Sequence, residues 1–194
     1  MSTLEWIAFV SNVICVALVV IEQDINWPIG VIGSATLLAF FWKSSFFAQA
    51  ALQAFYIIES IYGWWMWTRR DAQSGRRLVH IQTTSAPLAL KLGLAFTLGT
   101  AILYPILVRT SDPFPFWDSA IASASLVAEY MLCLKLIESW PVYLSTDIVS
   151  MITLALTGYW IVFATYTLFV ALCIAGWIRW QKAVRPEARG FELA

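Results

Sequence analysis

Charge is what this chain has least of. Lys, Arg, Asp and Glu make up 12% of its 194 residues, against about 25% in an ordinary globular domain. The few charges also cancel, 12 basic against 12 acidic. Nucleic-acid binding driven by counterion release therefore has no general basis. Imidazole is nearly absent, His80 being the single histidine. Cys15, Cys133 and Cys173 show neither a CxxC nor a Cys/His spacing. A metal centre and a disulfide framework are both disfavoured, and the cysteines read as small buried hydrophobes. No metal or cofactor is expected. A positive segment before the first apolar run is missing too, since Glu5 stands there. That run is expected to be kept as a span and not cleaved as a signal peptide.

Apolar sequence is what remains. Hydrophobic residues reach 60% and mean hydropathy is +0.74, which places the chain among integral membrane proteins. Seven segments have the length or polarity of spans, at 4–21, 27–42, 46–67, 86–108, 116–136, 140–157 and 159–180. The second and sixth are short and carry polar residues. Such segments in matching positions of two halves point to a transporter's binding region.

The halves do match. A shift of 113 residues pairs Trp27-Pro28 with Trp140-Pro141, and Gly63-Trp64 with Gly176-Trp177. It also pairs Trp67 with Trp180, Glu5 with Asp118 and Arg69 with Lys182, without a gap. Each repeat holds three spans, so equal threading needs one extra helix between them, supplied by 86–108. The expected fold is all-α, seven transmembrane helices in a 3+1+3 parallel repeat about an axis along the membrane normal. The divisions are 1–70 for the first repeat, 71–113 for a basic loop and linker helix, 114–182 for the second repeat and 183–194 for a tail.

In a seven-span threading, ten of the twelve basic residues share one side, among them Arg69, Arg70, Arg76, Arg77 and Lys135. Only Lys43 and Arg109 lie opposite. The positive-inside rule then puts the N-terminus outside and the C-terminus in the cytoplasm. Trp6, Trp42, Trp67 and Trp180 fall near span ends and are read as interfacial belts.

Polar residues inside the spans form stripes. Gln49, Gln53, Tyr56 and Ser60 follow i, i+4, i+7, i+11 on one helix face, with Glu59 one position off. Asp118, Ser125 and Glu129 follow i, i+7, i+11, and Trp140, Tyr143 and Asp147 follow i, i+3, i+7. Asp118, just after Pro115, is expected as an N-terminal cap. A carboxylate at bilayer depth costs about 2.5–3.5 kcal/mol on insertion scales, so Glu59, Glu129 and Asp147 need a reason beyond packing. Turned inward, they line an anionic cavity whose Trp and Tyr suit a cationic aromatic solute. The competing readings are interhelical hydrogen bonds for the Gln, Ser and Thr residues, a protonated or snorkelling Glu129, and an Asp147 near an interface.

Four segments carry a resemblance to a known family. They are Gln53 with Ile61-Tyr62-Gly63-Trp64, then Asp112-Pro-Phe-Pro-Phe-Trp-Asp118, then Lys135-x-x-Glu138-x-Trp140-x-x-Tyr143-x-x-x-Asp147, and last Gly176-Trp177-x-x-Trp180. Together they resemble the nicotinamide riboside transporter (PnuC) family of bacterial vitamin transporters. The resemblance implies a core like the SWEET sugar facilitators, a homotrimer, and an inner (cytoplasmic) membrane location. It implies uptake by facilitated diffusion, with a cytoplasmic vitamin kinase maintaining net flux. The riboside branch has a second Trp at the position of Tyr143 and commonly an Asn at that of Asp147, and is often uncharged at Glu59 and Glu129. The extra acids turn the preference to thiamine, whose cation and amino group they suit, with nicotinamide riboside as the alternative.

The expected binding residues are Gln53, Tyr56, Glu59, Glu129, Trp140, Tyr143 and Asp147, around a solute held between repeats. An enzyme would need a nucleophile–base pair or a metal set, and the one histidine sits in a basic loop. An energy-coupling subunit is the other rival. Proton coupling through one of the three acids stays open.

Overall fold

The structure, a computed structural model, describes residues 3–43, 47–158 and 160–191. The side chains of Glu5, Trp6, Gln49, Arg185 and Arg189 lie outside the described residues. The helices are α1 (Thr3–Val20), α2 (Asn26–Lys43), α3 (Phe47–Thr68), α4 (Ala86–Leu107), α5 (Pro115–Cys133), α6 (Ser139–Thr157) and α7 (Trp160–Phe191). All seven expected spans are present as helices. Two bounds differ. α5 stops at Cys133, short of 136, because Lys135 turns the chain through a left-handed conformation at φ 53°. α7 runs on past Trp180 into the polar sequence up to Phe191.

Helix ends follow local chemistry. Pro115 opens α5, where a missing N–H leaves no helical bond unmade. Pro28 and Pro141 lie in the first turns of α2 and α6 for the same reason. Gly158 closes α6 with φ 78°, the left-handed form that glycine adopts without a Cβ clash. Asp118 is not the expected cap. The cap position of α5 is Phe114, no side chain caps it, and Asp118 sits in the first turn, near the helix dipole's positive end.

Packing closes a ring. α2 lies against α1 and α3, α6 against α5 and α7, and the repeats meet through α3–α5 and α1–α7. Under the 113-residue shift α3 becomes α7 and α1 becomes α5, so these two interfaces are mates. Among the described helices α4 packs on α5 alone. Among the described residues, two helices taken singly have a stretch long and apolar enough to cross a membrane, Ala86–Leu107 and Phe163–Val184. Others carry polar residues turned inward, and Gln53, Ser60, Asp147 and Ser150 are buried.

Each repeat is locked by a tryptophan seated on a glycine. A Cβ on Gly63 would overlap the Trp27 ring, and one on Gly176 would overlap the Trp140 ring. The two rings meet Trp67 and Trp180 edge-on, with centroids 5.3 Å apart in both repeats and planes at 86° and 89°. Trp67 and Trp180 then touch each other across the repeat boundary at 6.3 Å. None of the four is more than 2% exposed. Trp67 and Trp180 are therefore core residues and not the interfacial belt expected of them. They lie four residues after Gly63 and Gly176, on the face that receives the partner ring. Trp42 is 63% exposed, as a belt residue would be.

Replacing Gly63 or Gly176 by Ala should therefore destabilise the protein by about 1–3 kcal/mol each, the usual effect of overpacking a close contact. Gly93→Ala, with no atom within 4 Å of the added Cβ, should be neutral. Unfolding in detergent measures all three, and equal behaviour would contradict the contact's role.

Candidate functional site

A cavity of about 340 Å³ lies between the repeats. That is towards the lower end of the range for small-molecule sites, about 300–1,000 Å³. Its wall is built in mates. Val16 and Glu129, Gly30 and Tyr143, and Gln53 and Tyr166 all border it, and each pair is 113 residues apart. So do Tyr56 and Phe169, and Ser60 and Cys173, at the same separation. The cavity thus sits on the pseudo-symmetry axis.

Six of the seven expected residues border this one space: Gln53, Tyr56, Glu129, Trp140, Tyr143 and Asp147. Helix geometry explains the grouping. Gln53, Tyr56 and Ser60 share one face of α3, and Trp140, Tyr143 and Asp147 share one face of α6. Glu59 is not among the residues that border it. It stands one residue off the α3 stripe, about 100° round the helix. Its backbone carbonyl accepts from the Cys133 thiol at 3.4 Å, towards α5, and its buried Oε2 has no hydrogen-bond partner among the described residues.

Both acids in the cavity have partners. The Tyr143 hydroxyl donates a short hydrogen bond to Glu129 Oε2. The Cys173 thiol donates to Asp147 Oδ2 at 3.5 Å. No Lys, Arg or His is among the described residues that border the cavity. Glu129 and Asp147 are thus the acidic groups among the described residues at its wall, and two aromatic rings, Trp140 and Tyr143, stand on the same helix face. No group of His, Cys, Asp or Glu among the described residues could hold a metal ion.

Residues from the first two helices also border the space, and sequence reasoning did not assign them. Asn12 and Cys15 come from α1 and Gly30 from α2. Their only signal was indirect: Asn12 and Gly30 are the 113-residue mates of Ser125 and Tyr143. The motif residues Lys135 and Glu138 do not border the cavity. Lys135 Nζ pairs with Glu22 at 2.8 Å, while Glu138 accepts from the Thr84 backbone and hydroxyl at 2.9 and 2.7 Å.

Comparison with known proteins decides the family. The profile described as "Nicotinamide mononucleotide transporter" matches residues 2–182. The chain belongs to that family. It is accordingly a membrane transporter and not an enzyme. Among relatives of this transporter, the nicotinamide riboside transporter PnuC of Escherichia coli (strain K12) is 26% identical over 96% of this chain and 88% of its own. The riboflavin/roseoflavin transporter RibM of Streptomyces davaonensis is 27% identical over 85% of this chain and 80% of its own. The crystal structure of the vitamin B3 transporter PnuC has the same fold. It superposes with a TM-score of 0.73 at 19% identity, covering 94% of this chain and 82% of that one.

The Tyr143–Glu129 contact predicts energetic coupling. In a double-mutant cycle of Tyr143→Phe and Glu129→Gln, unfolding should give a coupling of about 1.5–3 kcal/mol, the usual range for a hydrogen bond to a charged group. Additive effects would show that the pair does not interact.

Proposed function

We propose that this transporter carries nicotinamide riboside, a cationic nucleoside, by facilitated diffusion through alternating access. The observation that points to a cationic aromatic solute is the composition of the cavity: two carboxylates, two aromatic rings on one helix face, and no described basic residue. Trp140 and Tyr143 stack on the pyridinium ring and contribute cation–π attraction. Glu129 and Asp147 offset the positive charge. Gln53 and Tyr56 offer polar contacts to the carboxamide and the sugar. With no basic residue among the described ones at its wall, the same cavity opposes the phosphate of a mononucleotide by like-charge repulsion. The family profile's description is thus read here as the nucleoside and not the nucleotide.

The departures at Tyr143 and Asp147 from the riboside branch are what favour thiamine on sequence. The two carboxylates serve either cation equally well, so they do not separate the two. The relatives' named substrates favour the riboside. Riboflavin, neutral and bulkier, gains nothing from the acids and fits a space of about 340 Å³ less well.

The assembly proposed is a homotrimer in a bacterial inner membrane, N-terminus outside and the basic loop in the cytoplasm. A cytoplasmic kinase that phosphorylates the arriving vitamin would keep the inward gradient. Transport itself consists of the repeats rocking around the fixed site. A solute shifts that equilibrium only as far as its affinity differs between the two states.

Thermal unfolding with each candidate solute tests the reading. A ligand that binds only the folded form stabilises it by about 2.7 kcal/mol at one hundred times its dissociation constant. Nicotinamide riboside should raise the melt, nicotinamide mononucleotide should not, and Asp147→Asn should reduce the effect. A shift with thiamine and none with the riboside would reverse the substrate assignment.

A further inference from the structure

One end of the bundle is closed by three layers that cross the repeat boundary. Closest to the cavity is the tryptophan cluster, whose member Trp140 also borders the cavity. Behind it sits a single ion pair, Lys135 Nζ to Glu22 Oε2 at 2.8 Å. Glu22 and Lys135 are 113 residues apart, so they are each other's repeat mates. Both adopt the left-handed backbone, at φ 57° and 53°. A non-glycine residue held there costs about 1–3 kcal/mol and persists only where its surroundings demand it. The strain sits at the same corner of both repeats, just past the ends of α1 and α5. Lys135 is 2% exposed, and its ammonium also lies 4.3 Å from the centroid of the Trp67 ring.

The third layer is the linker between α3 and α4. Arg77 grips Asp24 in the α1–α2 corner with two bonds of 2.9 and 2.8 Å. A few residues on, Gln82 exchanges backbone bonds with Lys135 and Ile137 in the α5–α6 corner, at 3.1 and 2.9 Å. Thr84 then bonds Glu138. The linker thus fastens one repeat's corner to the other's.

We infer that Glu22 and Lys135 form the latch that holds this end of the transporter shut, and that separating them is the step that opens the cavity towards the basic loop. The inference rests on the alternating-access reading but not on any substrate. The charges explain why the latch is reversible. A repeat boundary closed only by tryptophans would be held by packing, whereas an ion pair can exchange its partner for water once Glu22, 35% exposed on its side chain, swings outward. The cation over Trp67 ties the pair to the cavity floor. Opening the pair therefore frees the ring cluster beneath it.

The transporter contains its own reporters, because Cys15 and Cys173 border the cavity while Cys133 does not. A membrane-impermeant methanethiosulfonate applied in vesicles from one face at a time, with labelled peptides read by mass, reports access to the cavity. From the basic-loop face, Glu22→Gln and Lys135→Met should label these two thiols about tenfold faster than the parent, a size within the usual range for coupled states. From the opposite face the same variants should label more slowly, because one population gains at the other's expense. Lys135→Arg, which keeps both the charge and the ring contact, should behave like the parent. Faster labelling from both faces would mean general loosening, and unchanged labelling would mean no gate; either overturns the latch. Glu22→Gln is nearly isosteric at a partly exposed position, so the test survives if Lys135→Met fails to fold. No vitamin is used, so the latch can stand even if the nicotinamide riboside assignment fails.

Discussion

The structure depends on a tryptophan ring packed against a helix that has glycine at the point of contact. Inside a membrane, burying a ring gains little by leaving lipid, because lipid is as apolar as the protein interior. What holds helices together there is close approach and dispersion, and small residues permit it. Trp27 on Gly63 and Trp140 on Gly176 are that contact made twice. Each fixes the start of one helix against the later half of another, and so sets the angle at which each repeat opens onto the axis. Trp67 and Trp180, one turn beyond the glycines, carry the contact across to the other repeat. The cavity above and the corners below are consequences of that joint.

On this symmetrical frame the chemistry is lopsided. Glu129 has Val16 as its mate, Tyr143 has Gly30, and Asp147 has Ser34. The second repeat supplies both acids and the ring stripe, while the first supplies space and neutral hydrogen-bonding groups such as Asn12, Gln53 and Ser60. A frame that needs symmetry to rock and a site that needs asymmetry to hold one solute in one orientation are both satisfied, because the two acids and Tyr143 take no part in the ring-on-glycine joint, and Trp140 alone among the proposed binding residues belongs to both. The fold by itself identifies no substrate; the substrate argument lies in those lining residues.

Much of this was legible in the sequence. The helix count followed from span length, and the repeat from the register that aligned Trp-Pro with Trp-Pro and Gly-Trp with Gly-Trp. That register is the ring-on-glycine contact written twice. The inward face of α6 was visible because Trp140, Tyr143 and Asp147 obey helical spacing and two of them are out of place in lipid. Other features left no such trace. Trp67 looks interfacial from its distance along the span, and only its four-residue separation from Gly63 hints at burial. α1 and α2 contribute to the cavity through Asn12, Cys15 and Gly30, residues too small or too neutral to stand out in apolar sequence. Glu59 was a single position from the stripe, and a helix turns about 100° per residue. The latch was hidden for a different reason: the same 113-residue shift pairs Glu22 with Lys135, but opposite charges do not look like a repeat.

The most direct measurement is uptake of labelled nicotinamide riboside by the purified transporter in liposomes, with no ion gradient and no nucleotide present. The account predicts entry until the concentration inside equals that outside, unaffected by an equal concentration of unlabelled nicotinamide mononucleotide. Failure of the riboside to enter would contradict it. So would accumulation above equilibrium when the same liposomes are then given a proton gradient, because the cavity acids would then be carrying protons and not simply offsetting the charge of the solute.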